Sequence, residues 1–222
     1  MNRVILSAST DETILAVTRQ HKLVDLEIEQ QINTEIVGCI YKGVVKNIVP
    51  AVDGIFVDIG IGKNAFLRRK DLLNEKRFPT EGSPILAQVI KSDTDMKGAL
   101  ITEKISMFGK YAVTLSGTGY IGVSKKIRQE SVRKRLKEIG KEICAEHMGL
   151  IIRTAAENAD MDEFRKDITR LKENWDIIQK RFRMEKSPTL LYRESDIIVK
   201  ALRDYVNKGT EILITDNRKI YE

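Results

Sequence analysis

The chain has 222 residues, 42% of them hydrophobic and 32% charged, which excludes a disordered chain and allows one large domain or two smaller ones with real cores. Its formal charge of +6 and pI near 9.2 favour an anionic partner. The only cysteines, Cys39 and Cys144, have no C-x-x-C spacing and indicate neither a disulfide framework nor a zinc site; with no signal peptide and no run near the ~20 apolar residues of a membrane span, a cytoplasmic protein is expected.

Residues 4–9, 13–19 and 23–29 are rich in β-branched side chains and are separated by the polar turns Thr10-Asp11-Glu12 and Gln20-His21-Lys22, which predicts a three-stranded meander. A polar bridge over 30–35 leads to five strand-like runs at 37–49, 51–58, 65–68, 85–91 and 99–102. Five short strands suit an OB barrel. Pro50, Gly54 and Gly62-Lys63-Asn64 mark its turns, and Asp71-Leu72-Leu73 a helical turn. Asp93, Asp95 and Lys97-Gly98 read as a tight connection and not as a metal site.

Within the barrel, Phe56 and Phe66 fall on neighbouring strands among Lys42, Lys46, Lys63, Arg68, Arg69 and Lys97. A flat ring stacks on an unpaired base whatever its identity, worth ~1 to 3 kcal/mol per base, while nearby cations hold the phosphate backbone. An isolated phenylalanine reads as core. Two of them in this company read as a platform for single-stranded RNA.

After residue 104, the runs 111–115 and 120–123 predict a hairpin around Ser116-Gly117-Thr118-Gly119, followed by a charged helix over 128–147. Gly149-Leu150-Ile151-Ile152 is an apolar strand ending in a cation and a hydroxyl, Arg153 and Thr154. The clearest helix covers 162–183, where Phe164, Ile168, Leu171, Trp175 and Ile178 recur at four-three-four-three spacing behind Asp160 as N-cap. Pro188 introduces a strand at 189–193, a helix over 197–206 stops at Gly209, and 211–215 is a last strand. Residues 217–222 look like the opening turn of a helix that continues past this segment.

In this order, Tyr41-Lys42-Gly43, Phe56-Val57-Asp58, Gly149-Leu150-Ile151-Ile152-Arg153-Thr154-Ala155 and Glu194-Ser195-Asp196-Ile197-Ile198-Val199 give a chain that resembles the N-terminal half of the ribonuclease E/G family. These are bacterial endoribonucleases that cut single-stranded RNA, and the likeness runs over essentially all 222 residues. The resemblance implies an α+β fold in which an OB-fold RNA-binding domain of the ribosomal protein S-one type, residues 36–104, is inserted into a ribonuclease-H-like subdomain. That subdomain would comprise 1–35 and 199–222, and residues 105–198 would be an α/β sensor of the substrate's 5′ end.

By the same resemblance Phe56, Phe66 and Lys97 match the family's RNA contacts in the barrel, to which the reading above adds Lys42, Lys63 and Arg68. Gly109 and Val113 match positions beside the terminal nucleotide, and Arg153 and Thr154 match those that grip its 5′-monophosphate, a task suited to a guanidinium fork and a hydroxyl. Considered alone, Arg153 reads as a surface ion pair with Glu157. Two positions depart from the pattern. Ile59 stands where some members have tyrosine, which is expected to weaken stacking, and Lys125-Lys126 replace an arginine pair, which keeps charge but loses bidentate recognition.

The family's magnesium-binding aspartates and zinc-linking cysteines lie downstream of the matched half, so no catalytic residue and no metal ligand is expected in this segment. It should bind 5′-monophosphorylated single-stranded RNA without cutting it. The full-length enzyme would use magnesium, with room for a structural zinc, and would self-assemble mainly through its other half. Two further readings stay open: a free-standing RNA-binding module such as a translation or ribosome-associated factor, and a barrel that binds oligosaccharide or protein.

Overall fold

Strands β1 (Asn2–Ala8), β2 (Glu12–Arg19) and β3 (Lys22–Gln30) pair as the antiparallel meander that their β-branched residues predict. The last strand among the described residues, β14 (Ile212–Thr215), adds to β1 in parallel. Val4, Leu6, Leu15 and Val17 share one face of this sheet, and Ile198, Ala201, Tyr205 and Val206, on and after helix α3 (Ile197–Asp204), pack against them. The Tyr205 hydroxyl donates to the Asp25 carboxylate.

The chain divides into two compact units, residues 1–35 with 194–222, and residues 36–193. The structure, a computed structural model, describes residues 2–9, 12–30, 36–76, 78–93, 97–144, 148–193, 197–206, 212–216 and 218. The predicted bridge at 31–35, the turn at Asp95, the helix end at 145–147, the motif residues Glu194-Ser195-Asp196, the stop at Gly209 and most of the 217–222 turn lie outside them.

In the second unit β4 (Ile40–Val49), β5 (Gly54–Asp58), β6 (Ala65–Arg68), β7 (Pro84–Lys91) and β8 (Leu100–Thr102) pair in the order β4-β5-β6-β8-β7. Because β7 returns to β4, the sheet closes into the expected five-stranded OB barrel. Val45, Ile55, Val57, Leu67, Ile85 and Ile101 fill its interior. The predicted strand over 51–58 begins only at Gly54, because Pro50–Val52 forms a 3-10 turn and Asp53 takes a left-handed φ of 49°. The helical turn falls two residues early, at Arg69–Asp71.

The remaining elements are β9 (Ser106–Phe108), β10 (Ala112–Ser116), β11 (Ile121–Val123), α1 (Glu130–Ile143), β12 (Met148–Ile152), α2 (Met161–Met184) and β13 (Thr189–Tyr192). The expected hairpin of 111–115 with 120–123 does not form. Instead β12 lies between these two strands, antiparallel to β10 and parallel to β11. A nearly all-apolar strand belongs in the middle of a sheet, where both its edges are paired and its faces can be covered. Helices α1 and α2 bury Leu136, Ile139, Phe164, Ile168 and Leu171 with Leu150 and Ile152 of this sheet. Asp160 caps α2 as predicted, accepting from the Asp162 and Glu163 N–H groups.

Three devices tie the barrel to the rest of its unit. Strand β13 pairs antiparallel with β4, so residues Ile40–Lys42 are hydrogen-bonded on one edge to β7 and on the other to β13. The Lys42 ammonium donates at 2.6 Å to both the Phe182 and Glu185 carbonyls at the end of α2, where helix carbonyls lack partners of their own. The buried Gln88 amide donates to the Gly38 and Ser106 carbonyls at 2.9 and 2.8 Å, and its oxygen accepts the Ser106 N–H at 2.8 Å. Gln88→Leu strands these groups and should cost about 1 to 3 kcal/mol, read as a lower urea midpoint at unchanged slope. A wild-type midpoint would refute the clamp.

Candidate nucleic-acid interface

Alternation on β5 and β6 decides which side chains the barrel presents. Ile55, Val57, Ala65 and Leu67 are buried, so Phe56, Asp58, Phe66 and Arg68 fall on the outer face, each half-buried. Phe56 and Phe66 are directly paired across the two strands, with ring centroids 5.4 Å apart and planes tilted by 51°. Gly54 makes room for this pair: a Cβ there would lie 2.3 Å from the Phe66 ring.

The cations around the rings differ in their engagement. Lys63 and Lys97 are exposed on adjoining turns, brought together because Gly98 packs onto the Asn64 backbone, where a Cβ would meet the carbonyl oxygen at 1.9 Å. Lys46 lies 3.4 Å from Asp58, Arg68 pairs with Asp71, and Arg69 pairs with Asp53 while covering the Phe78 ring at 4.0 Å. Such surface pairs contribute about 0 to 1 kcal/mol, so a phosphate can compete for them. Lys42 corrects the expected border of cations, since its ammonium is occupied at the end of α2 and over the Phe182 ring. Ile59 is also corrected: it is 1% exposed, inside the barrel, and its side chain has no place in a stacking surface.

The four predicted sensor residues come together at one end of the β9–β12 sheet. The Arg153 Nη1 donates to the Gly109 carbonyl at 2.8 Å, and its backbone N–H donates to the Tyr111 carbonyl at 2.7 Å. Thr154 opens a 3-10 turn, and its hydroxyl lies 3.0 Å from that of Ser124. Val113 is paired with Phe108 on one side and Ile151 on the other, both of them exposed, so the three form an apolar row across the sheet.

Sequence reasoning passed over the residue that organises this corner. Asp167 is 8% exposed on the apolar stripe of α2, and its carboxylate accepts the Lys110 and Tyr111 N–H groups at 3.2 and 2.8 Å. It leaves no room for a side chain at Gly109, whose Cβ would stand 2.4 Å from the carboxylate oxygen. The available signal was an acid three residues after Phe164, on the face that should be apolar. Nearby, the Tyr111 hydroxyl donates to Glu163 at 2.6 Å. Burial first, and then that carboxylate, push the phenol up to about 12, so it remains a donor throughout the neutral range. Among the described residues no three of His, Cys, Asp and Glu gather as metal ligands, and no helix is long and apolar enough to cross a membrane.

An aromatic pair and exposed lysines on an OB barrel define an RNA-binding class of protein, and the comparisons narrow it. A model of the S1 RNA binding domain matches residues 34–102, and one of the ribonuclease E/G family matches residues 106–222. The chain belongs to the ribonuclease E/G family. It is 32% identical to ribonuclease G of Escherichia coli (strain K12), an alignment covering 99% of this chain and 48% of that protein. It is 31% identical to ribonuclease E of Buchnera aphidicola subsp. Schizaphis graminum, covering 100% of this chain and 25% of that one. The chain thus spans about half the length of its ribonuclease G relatives.

Asp167→Asn would set an amide N–H against a main-chain N–H and should cost about 1 to 3 kcal/mol. Amide exchange at Tyr111 is expected to quicken about tenfold or more under that cost. Exchange as slow as in the wild type would show that the carboxylate does not hold the loop.

Proposed function

We propose that these residues are the substrate-recognition half of a magnesium-dependent cytoplasmic endoribonuclease that cleaves single-stranded RNA in RNA processing and decay. The observation that carries this reading is the outward-facing Phe56–Phe66 pair on an S1 barrel. Bases stack on the rings, and Lys63, Lys97 and Arg68 hold the phosphates that run past them. The platform offers ring faces and not hydrogen-bonding groups to base edges, so it tolerates many sequences.

Selection comes from the corner built by Gly109, Val113, Arg153 and Thr154. The Gly109 carbonyl fixes the plane of the Arg153 guanidinium, whose fork suits the oxygens of a terminal phosphate, and the Thr154 hydroxyl adds a further polar contact. A 5′-monophosphate fits such a corner, whereas a triphosphate adds bulk and charge. The terminal base lies along the apolar row of Phe108, Val113 and Ile151. Magnesium bound elsewhere in the longer protein would activate water and stabilise the transition-state charge. A structural zinc and self-assembly, where the full-length enzyme has them, would likewise lie outside the present residues. The present residues align the strand and read its end, and do not cut it alone.

Replacing both rings, Phe56→Ala with Phe66→Ala, should weaken binding of unstructured RNA at least about thirtyfold, from ~1 to 3 kcal/mol per stacked base, whatever its 5′ chemistry. Unaltered affinity would remove the platform from the mechanism. Arg153→Ala should leave binding of 5′-hydroxyl RNA intact and abolish the preference for 5′-monophosphate RNA. A preference surviving in that variant would place the phosphate elsewhere.

A further inference from the structure

The chain's formal charge of +6 is not spread over it. Residues 125–141 contain eight lysines and arginines against two acids, so this one segment carries the whole excess and the other 205 residues hold thirty charges of each sign. The segment is helix α1 with the loop leading into it. Its apolar stripe, Leu136, Ile139 and Gly140, is buried against the sheet. Arg133 is used internally, donating to the Ser124 and Ile127 carbonyls at 2.7 and 2.9 Å, which holds the loop against the helix.

The other seven cations, Lys125, Lys126, Arg128, Lys134, Arg135, Lys137 and Lys141, are exposed, and among the described residues none of them forms an ion pair. Helix α2 is more evenly balanced, its seven lysines and arginines standing among five acids, with Arg165, Arg170 and Arg181 each held by a carboxylate. Lys134, Lys137 and Lys141 stand at three-four spacing on the side opposite the buried stripe, spanning about 10 Å at ~1.5 Å per residue. Like charges at this spacing repel one another, and an external anion relieves that repulsion.

We propose that the exposed face of α1 carrying Lys134, Lys137 and Lys141 is a second RNA-binding surface that holds phosphate backbone beyond the aromatic platform and the Arg153 corner, which Lys125 and Lys126 adjoin through Ser124. The inference rests on the RNA-binding reading and extends it. A polyanion fits better than a membrane because the apolar side of α1 is buried and nothing remains to insert among acyl chains. No aromatic residue lies between 124 and 143, so the surface offers bases no ring to stack on and reads chiefly charge. It therefore tracks structured or unstructured RNA beyond the bases in contact with the barrel.

The test is a titration with unstructured 5′-hydroxyl RNA at several salt concentrations. It compares wild type, Lys134→Ala/Lys137→Ala/Lys141→Ala, and a control that removes three other exposed lysines, Lys166→Ala/Lys180→Ala/Lys186→Ala. The α1 variant should bind with a log–log salt dependence shallower by about 2, since each phosphate contact in a single strand contributes ~0.7 to the slope. The control should retain the wild-type slope. An unchanged slope in the α1 variant, or an equal decrease in both variants, overturns the surface while leaving RNA binding in place. Wild type that binds no RNA overturns both, and capture by anionic vesicles with an unaltered RNA slope assigns the helix to a membrane instead.

Discussion

Everything in the larger unit is referred to the first half of β4. Its residues Ile40–Lys42 have main-chain partners on both edges, β7 closing the barrel and β13 arriving from the end of α2. A strand paired on both sides cannot shift without leaving several backbone groups unpaired at once, and each buried loss costs about 1 to 3 kcal/mol. The Lys42 ammonium adds a charged contact to the last α2 carbonyls, and Arg181 donates to the carbonyls of Leu190 and Leu191 from the other side. The barrel and the β9–β12 sheet are therefore held on a common frame, and an RNA that touches both would meet a fixed spacing between rings and guanidinium.

The same economy governs the corner around Arg153. A buried carboxylate beside the proposed phosphate site would repel such a ligand if its charge were left unanswered. Asp167 instead receives two main-chain N–H groups and lies 3.5 Å from Arg170. Those bonds fold the 109–111 loop so that its Gly109 carbonyl meets Arg153. The acid reaches Arg153 only through the backbone it shapes, and glycine at 109 follows from the space the carboxylate occupies.

Local patterns were legible in the sequence wherever one residue's environment depended on its near neighbours. The meander, the alternation that turns Phe56 and Phe66 outward, the stripe of α2 and its Asp160 cap all follow from periodicity or a short spacing. Pairing between distant strands was not legible, and so β12 came between two runs that looked like a hairpin, and β13 joined the barrel. Lys42 was misread for a related reason: a four-carbon stem lets an ammonium serve whichever carbonyls the tertiary structure brings near. The Tyr41-Lys42-Gly43 motif proves architectural, with Tyr41 in the barrel core and Gly43 leaving room for Val57, whose Cγ1 would stand 2.5 Å from a Cβ.

Under the proposed function, recognition of RNA divides along physical lines. Ring faces accept any base, so the barrel confers affinity for single strands without fixing their sequence. Discrimination must then come from chemistry that differs between substrates, and the terminal phosphate is the natural candidate because its charge and size change with processing. The basic helix, in the role proposed for it, would supply neither ring stacking nor end recognition, yet through long-range attraction it would raise the local concentration of any strand and lengthen the footprint. Its contribution decays with salt over a Debye length of ~8 Å at physiological ionic strength. Stacking on the rings is far less sensitive to salt, so the balance between the two surfaces shifts from charge towards bases as ionic strength rises.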